Sequence, residues 1–213
     1  MTERSPRIAV LASGRGSNFS AIADACQTGA LKADLTCLVT DRPGCLAVEE
    51  AGRLKIKVLE IPVGQSSRDE HEEKILEALK GNSPDFLVLA GYRRILGSRL
   101  ISAFDSGRGY SRIVNIHPSL LPAFPGLDSY RKAFEYGSKV SGVTVHLVTK
   151  GVDQGPICAQ ESFSLEGFET PDQVEAAGLK IEHRLFPKTL QWLLPEKFLI
   201  MRSGKDRMRV CQS

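Results

Sequence analysis

Long apolar runs, paired cysteines and a surplus of one charge are all missing from this 213-residue sequence. No segment reaches membrane-spanning length, so no membrane partner is expected. Met1-Thr-Glu-Arg-Ser-Pro leads straight into a strand, with no apolar stretch resembling a signal peptide, which points to a cytoplasmic protein. The five cysteines (Cys26, Cys37, Cys45, Cys158, Cys211) are odd in number and contain no Cys-x-x-Cys pair. Neither a disulfide framework nor a zinc site is indicated; reduced thiols in cytosol are the simpler reading. No His or Cys pair has metal-ligand spacing, so no metal is expected. A formal net charge of +3, well dispersed, gives no ground for a nucleic-acid partner, though it suits an anionic small molecule. Repeats, low-complexity stretches and obvious linkers are absent too. One domain over residues 1–213 is the expectation.

What is present is ordinary for a globular α/β protein: 42% hydrophobic and 25% charged residues. Arg7 to Leu11 reads as a strand, followed by Ser13-Gly-Arg-Gly-Ser-Asn18 and a helix to about Thr28. Leu35 to Thr40 and Lys57 to Ile61 read as strands, with helices at Leu46 to Arg53 and Arg68 to Leu79. Phe86-Leu-Val-Leu-Ala90, bounded by Pro84 and Gly91, suits a central parallel strand. Strands alternating with helices imply a doubly wound, mostly parallel, Rossmann-like sheet. Beyond Arg112 a helix is expected at Ser129 to Tyr136, then an antiparallel hairpin from Val143 to Val148 and Ile157 to Phe163. Thr170 to Leu194 reads as one long helix that Gly178 and Pro187 can interrupt or bend. The basic tail from Lys197 suggests an edge strand and a loose end.

The densest chemistry lies in Arg112-Ile-Val-Asn-Ile-His-Pro-Ser-Leu-Leu121. Pro118 ends a buried strand, and Asn115 and His117, two residues apart, project on one side of it. An amide donor and a titratable imidazole thus meet at a strand's C-terminal end, the edge where open α/β sheets bind ligands. Asn can donate to an oxyanion and His can donate or exchange a proton. Two satisfied polar groups at a strand end are the plainer alternative.

The first loop reads as a phosphate cradle. Gly14 and Gly16 permit close approach, and the helix starting near Ser17-Asn18 offers free N–H groups. A dinucleotide fingerprint would need a third glycine where Phe19 stands, so a single phosphate is the better guest even with Asp41 after the second strand. An ordinary helix cap by Ser17 or Asn18 is the alternative. Asp153, in Gly151-Val-Asp-Gln-Gly-Pro156, would raise the pKa of a neighbouring histidine and orient it, or simply form a turn. His146 alternates with inward Thr144 and can be a core histidine; His71 and His183 receive no role. No Gly-x-Ser-x-Gly elbow supports Ser119 as nucleophile. Direct attack by a substrate amine on a carbonyl fits better, with Asn115 and His117 on the oxyanion and Asp153 managing the proton.

Taken together, these segments resemble the phosphoribosylglycinamide formyltransferases, folate-dependent enzymes of purine synthesis, from about Arg7 to about Trp192. The resemblance rests on Ser13-Gly-Arg-Gly-Ser-Asn18, Leu89-Ala-Gly-Tyr-Arg-Arg-Ile-Leu96, Asn115-Ile-His-Pro-Ser-Leu-Leu-Pro122 and Asp153-x-Gly-Pro, in that order. It implies formyl transfer from 10-formyltetrahydrofolate to glycinamide ribonucleotide, without metal, with Asn115, His117 and Asp153 catalytic. It also implies that Gly16, Ser17 and Asn18 hold the ribonucleotide phosphate, that Glu182 contacts its ribose, and that Gly91 and Pro118 touch it. Tyr92, Arg94, Ile95, Leu96 and Asn115 should border the folate, with Val152 and Asp153 closing the pterin side and Arg68 near the glutamate tail. Residues 1–100 would be a phosphate-binding half, 101–194 a folate-binding and catalytic half, and 195–213 a basic tail, in a monomer or homodimer.

Three departures stand out. Arg93 occupies a position where the family often has Met, Asp128-Ser-Tyr130 stands where some members carry histidines, and Ser106-Gly-Arg-Gly-Tyr110 is a small flexible insertion. Rival readings are a methionyl-tRNA formyltransferase, whose resemblance implies a longer chain, a formyltetrahydrofolate hydrolase, and a non-catalytic nucleotide-binding module. The last leaves Asn115, His117 and Asp153 unexplained.

Overall fold

A computed structural model describes residues 4–202 and 208–212. The chain divides into two compact units, Met1–Val114 and Asn115–Ser213. The first contains β1 (Arg7–Leu11), α1 (Ser17–Gln27), β2 (Asp34–Thr40), α2 (Leu46–Arg53), β3 (Val58–Glu60), α3 (Arg68–Leu79), β4 (Phe86–Leu89) and α4 (Ser98–Ala103). Its strands run β3-β2-β1-β4 and are parallel throughout. The uniformly apolar β1 and β4 sit side by side with Ile8 to Leu11 opposite Phe86 to Leu89, buried as a two-sided parallel strand pair must be. Phe19, Ile22 and Ala23 of α1 and Ile75 and Leu79 of α3 close the core. Ser67 and Glu70 cap α3 reciprocally, which fixes its start where the apolar spacing begins. The segment from Ser106 to Tyr110 is a closed turn, with Ser106 N–H bonded to Tyr110 O at 3.0 Å and Arg108 N–H to Ser106 Oγ at 3.0 Å.

β5 (Ile113–His117) leads from the first unit into the second. There follow α5 (Ser129–Tyr136), β6 (Val140–Leu147), β7 (Ile157–Ser164), α6 (Pro171–Leu193), β8 (Phe198–Arg202) and β9 (Met208–Gln212). The expected hairpin is present: β6 pairs antiparallel with β7 from Val140 opposite Ser164 to His146 opposite Ile157. Its register slips between Val145 and His146, an irregularity of the kind that re-aims a side chain. α6 runs unbroken through Gly178 and Pro187 and starts at a capping box of Thr170 and Gln173. Tyr130 packs where a Gly178 side chain would be: a Cβ there would meet the Tyr130 ring at 2.2 Å. The tail forms a hairpin of β8 and β9 rather than one strand and a loose end, with β9 parallel to β7 at Arg209 opposite Ile157. No helix among the described residues is long and apolar enough to cross a membrane.

Candidate active site

In the first unit, the loop after β1 is held from three directions. Ser13 N–H donates to Gly91 O at 3.2 Å, Ser13 Oγ to Asp41 Oδ1 at 2.5 Å, and Ala47 N–H to Gly14 O at 3.1 Å. Gly16 has φ +76°, and a Cβ on it would lie 2.6 Å from the Ala47 Cα, so only glycine fits. It is also the N-cap of α1, which has no side-chain cap. Neither Ser17 nor Asn18 therefore acts as an ordinary cap. Phe19 is fully buried in the core, which leaves no room for the close packing of a dinucleotide fold. Asp41 is already engaged by Ser13.

The segment after β4 lies against this loop. Arg93 N–H donates to Ser13 Oγ at 3.1 Å, and Gly91 takes φ +79°. Tyr92 is half-buried, and burial, reinforced by Asp41, pushes its phenol upward. Ile95 is 59% exposed, an unusual position for a large apolar side chain, whereas Leu96 is buried. Arg68 approaches the same segment: its Nε lies 2.9 Å from the position a Gly97 Cβ would take.

The second unit gathers Asn115, His117 and Asp153. β5 buries His117 and leaves Asn115 partly accessible. The proline-rich loop folds back over the strand end, with Ser119 N–H on His117 O at 2.9 Å and Ser119 Oγ on Ala123 O at 2.5 Å. Thr144 Oγ1 secures it further, donating to Ser119 O at 2.6 Å and accepting from Leu121 N–H at 3.1 Å. Pro118 is half-buried directly after the histidine. This fold-back brings Phe124 O to 3.0 Å from His117 Nε2, with Ser129 Oγ at 3.2 Å from the same nitrogen. Asp153 sits at φ +52° in the β6–β7 connection, accepts the Gly126 N–H at 2.8 Å, and places Oδ2 3.4 Å from His117 Nδ1. Gly155 makes that connection possible, because a Cβ there would overlap Leu147 O at 1.7 Å.

His146 belongs to this cluster as well. Its Nδ1 donates to Leu147 O at 2.9 Å, so in the neutral ring Nε2 is an acceptor and receives the Asn115 Nδ2–H at 3.1 Å. That chain fixes the Asn115 amide orientation and leaves its second hydrogen available. Nε2 of His146 also lies 3.7 Å from Asp153 Oδ1. Sequence spacing left His146 as a core histidine and gave Ser129 no role; no local pattern reports either contact.

The His117 pKa is displaced opposite to expectation. Burial pushes it down and outweighs the Phe124 carbonyl and the Asp153 carboxylate, which push it up. Asp153 remains an ionised group: burial raises its pKa, but the neighbouring His146, the Gly126 N–H and the His117 ring together hold it below the usual carboxylate range. A carbonyl can only accept, so the neutral His117 carries its proton on Nε2 and presents an Nδ1 lone pair to Asp153. Proton uptake at Nδ1 yields an imidazolium facing a carboxylate.

Glu182 is 5% exposed and accepts the Tyr130 hydroxyl at 2.7 Å, so it is no solvated helix charge. Its charge also acts on His117. Val152, beside Asp153, is 43% exposed. Among the described residues no group of His, Cys, Asp and Glu is arranged to hold a metal.

The chain belongs to the formyl transferase family, whose model matches residues 6–190. Among curated relatives, the phosphoribosylglycinamide formyltransferase of Bacillus subtilis is 38% identical over 189 residues, covering 88% of this chain and 94% of its own. The crystal structure of glycinamide ribonucleotide transformylase 1 from Symbiobacterium toebii superposes with TM-score 0.89 at 35% identity, over 98% of this chain and 94% of that one. Phosphoribosylglycinamide formyltransferase from Bacillus halodurans gives 0.83 at 42% identity, over 88% and 95%. The family resemblance read from the sequence is borne out.

Proposed function

We propose that this chain transfers the formyl group of 10-formyltetrahydrofolate to the amine of glycinamide ribonucleotide in purine synthesis. The observation that carries this reading is one polar cluster in which Asp153 faces His117 Nδ1 at 3.4 Å and His146 Nε2 at 3.7 Å, with Asn115 hydrogen-bonded to that same His146 nitrogen at 3.1 Å. Gly16, Ser17 and Asn18 hold the phosphate at the uncapped start of α1, and Glu182 takes the ribose. Gly91 and Pro118 contact the ribonucleotide. Tyr92, Arg94, Ile95, Leu96, Asn115, Val152 and Asp153 contact the reduced folate, with Arg68 toward its glutamate tail. The enzyme works in the cytoplasm, a compartment that suits its five free cysteines.

In the reaction, the amine nitrogen attacks the formyl carbon and the carbonyl oxygen becomes an oxyanion. The free Asn115 amide hydrogen donates to it. His117, protonated at Nδ1 against Asp153, exchanges the Phe124 carbonyl for the oxyanion at Nε2. Asp153, through water, carries the proton from the attacking nitrogen to the departing folate nitrogen, and the carbon–nitrogen bond to folate breaks as the oxyanion collapses. No covalent enzyme intermediate forms.

Purified protein mixed with both substrates, with a control lacking the ribonucleotide, tests the assignment. Folate deformylation that requires the ribonucleotide and yields its formyl derivative is expected. Deformylation without it identifies a hydrolase, and binding without turnover identifies a nucleotide-binding module.

A further inference from the structure

We propose that Glu72 is a positioning residue for folate, acting through the backbone of Gly97 and Leu100. This rests on the reading that Arg94, Ile95 and Leu96 border that substrate. Glu72 projects from α3 and is 2% exposed. A carboxylate so deeply buried is costly unless its oxygens are hydrogen-bonded. Here Oε1 accepts the Gly97 N–H and Oε2 accepts the Leu100 N–H at 3.1 Å. Gly97 is the N-cap of α4, has no side chain to cap with, and is followed by Ser98 as first helical residue. Glu72 therefore supplies from another helix the cap that α4 lacks.

Space confirms the fit. A Cβ on Gly97 would lie 3.0 Å from both Glu72 oxygens and 2.9 Å from Arg68 Nε. Glycine at this position admits the carboxylate and the guanidinium together.

The consequence concerns the segment just before α4. Its near end is pinned by Ser13, through Gly91 O at 3.2 Å and Arg93 N–H at 3.1 Å. Its far end is pinned by Glu72 at Gly97. Between the two anchors, Arg94 to Leu96 must present a fixed backbone, with Ile95 held 59% exposed. Releasing the Glu72 anchor loosens the far end alone, where Arg94, Ile95 and Leu96 lie, and leaves the α1 loop attached to Ser13. The effect of losing Glu72 is thus specific for one substrate.

The test is Glu72→Gln, which keeps the shape and one acceptor oxygen but sets an amide NH2 against one of the N–H groups. Steady-state constants for both substrates, calorimetric binding of tetrahydrofolate, and Tm are measured side by side with the wild type. The expected result is a rise of about tenfold in the folate KM and in the tetrahydrofolate Kd, with ribonucleotide KM and kcat within about twofold. A variant with lowered Tm and unchanged folate affinity would make Glu72 a purely structural cap and overturn the proposal. Gly97→Ala crowds the Glu72 carboxylate and Arg68 together, so it tests the anchor as a whole while Glu72→Gln isolates the carboxylate; equal loss for both substrates overturns the assignment. Wild-type protein that binds no tetrahydrofolate would defeat the functional reading itself, and this inference with it. Wild-type binding with an unaffected Glu72→Gln defeats the inference alone.

Discussion

Gly126 donates its N–H to Asp153 at 2.8 Å, tying the β6–β7 connection to the loop that supplies the Phe124 carbonyl to His117. One carboxylate thereby sets the loop and faces the imidazole at once. It does so from a left-handed backbone conformation, φ +52°, a strain of about 1–3 kcal/mol for a non-glycine residue that its surroundings must outweigh. Strain of this kind concentrates where geometry serves chemistry.

His117→Ala removes the imidazole and leaves the α1 loop untouched. Turnover should fall on the order of a hundredfold or more, with ribonucleotide affinity close to that of wild type. Near-normal turnover would remove His117 from the mechanism.

Asp153→Asn keeps an oxygen for the Gly126 N–H and discards the charge. Turnover should fall sharply while the loop stays in place. Asp153 is one of the groups that push the His117 pKa up, so its neutralisation should lower that value further. Titration of the His117 ring protons by NMR reads the shift; an upward movement would contradict the electrostatics described.

Stability should depend on pH through the same pair. Burial depresses the folded His117 pKa below its ordinary 6.5, so the unfolded chain binds more protons in the window beneath that value. The stabilisation is present above the unfolded pKa and is lost as pH falls through the folded one. Asp153, also depressed, acts in the same direction at lower pH, below its ordinary 3.8. Wild-type Tm should therefore fall on acidification from about pH 8 to about pH 5 more steeply than that of His117→Gln. Parallel curves would assign the slope to other groups.

Gly16→Ala meets backbone, not a movable side chain, because its Cβ would lie 2.6 Å from the Ala47 Cα at a φ of +76°. A loss of about 1–3 kcal/mol in unfolding free energy is expected. Ribonucleotide KM should rise more than folate KM. A variant as stable as wild type, with ribonucleotide KM unchanged, would mean that the turn tolerates a side chain and holds no phosphate.

Much of the fold was legible in the sequence, and the misses have physical causes. α2 and α3 fall at the expected residues because apolar periodicity and end signals coincide there. α4 was not read: six residues with one buried side chain, Leu100, carry no period, and its cap comes from α3. The strand pattern understated β6, which begins at Val140, because Gly142 interrupts the alternation; a Cβ there would lie 2.4 Å from Glu161 O. The two-residue spacing of Asn115 and His117 announced a site. The contact between Asn115 and His146 spans 31 positions, and no local pattern encodes it. The direction of the His117 shift was misread for a related reason: the neighbouring acid can be seen in the sequence, but the burial that outweighs it cannot.

Tyr130 and Gly178 are complementary halves of one joint, ring against bare helix, and the hydroxyl at its tip reaches Glu182. Such a joint restricts how the protein can be rebuilt. A histidine placed at 130 would leave a void above Gly178 and would meet Glu182 with a shorter side chain. Exchanging position 178 alone would wedge α5 from α6. The two sites therefore behave as a single unit of inheritance, and chimeras that divide them should fold worse than either parent.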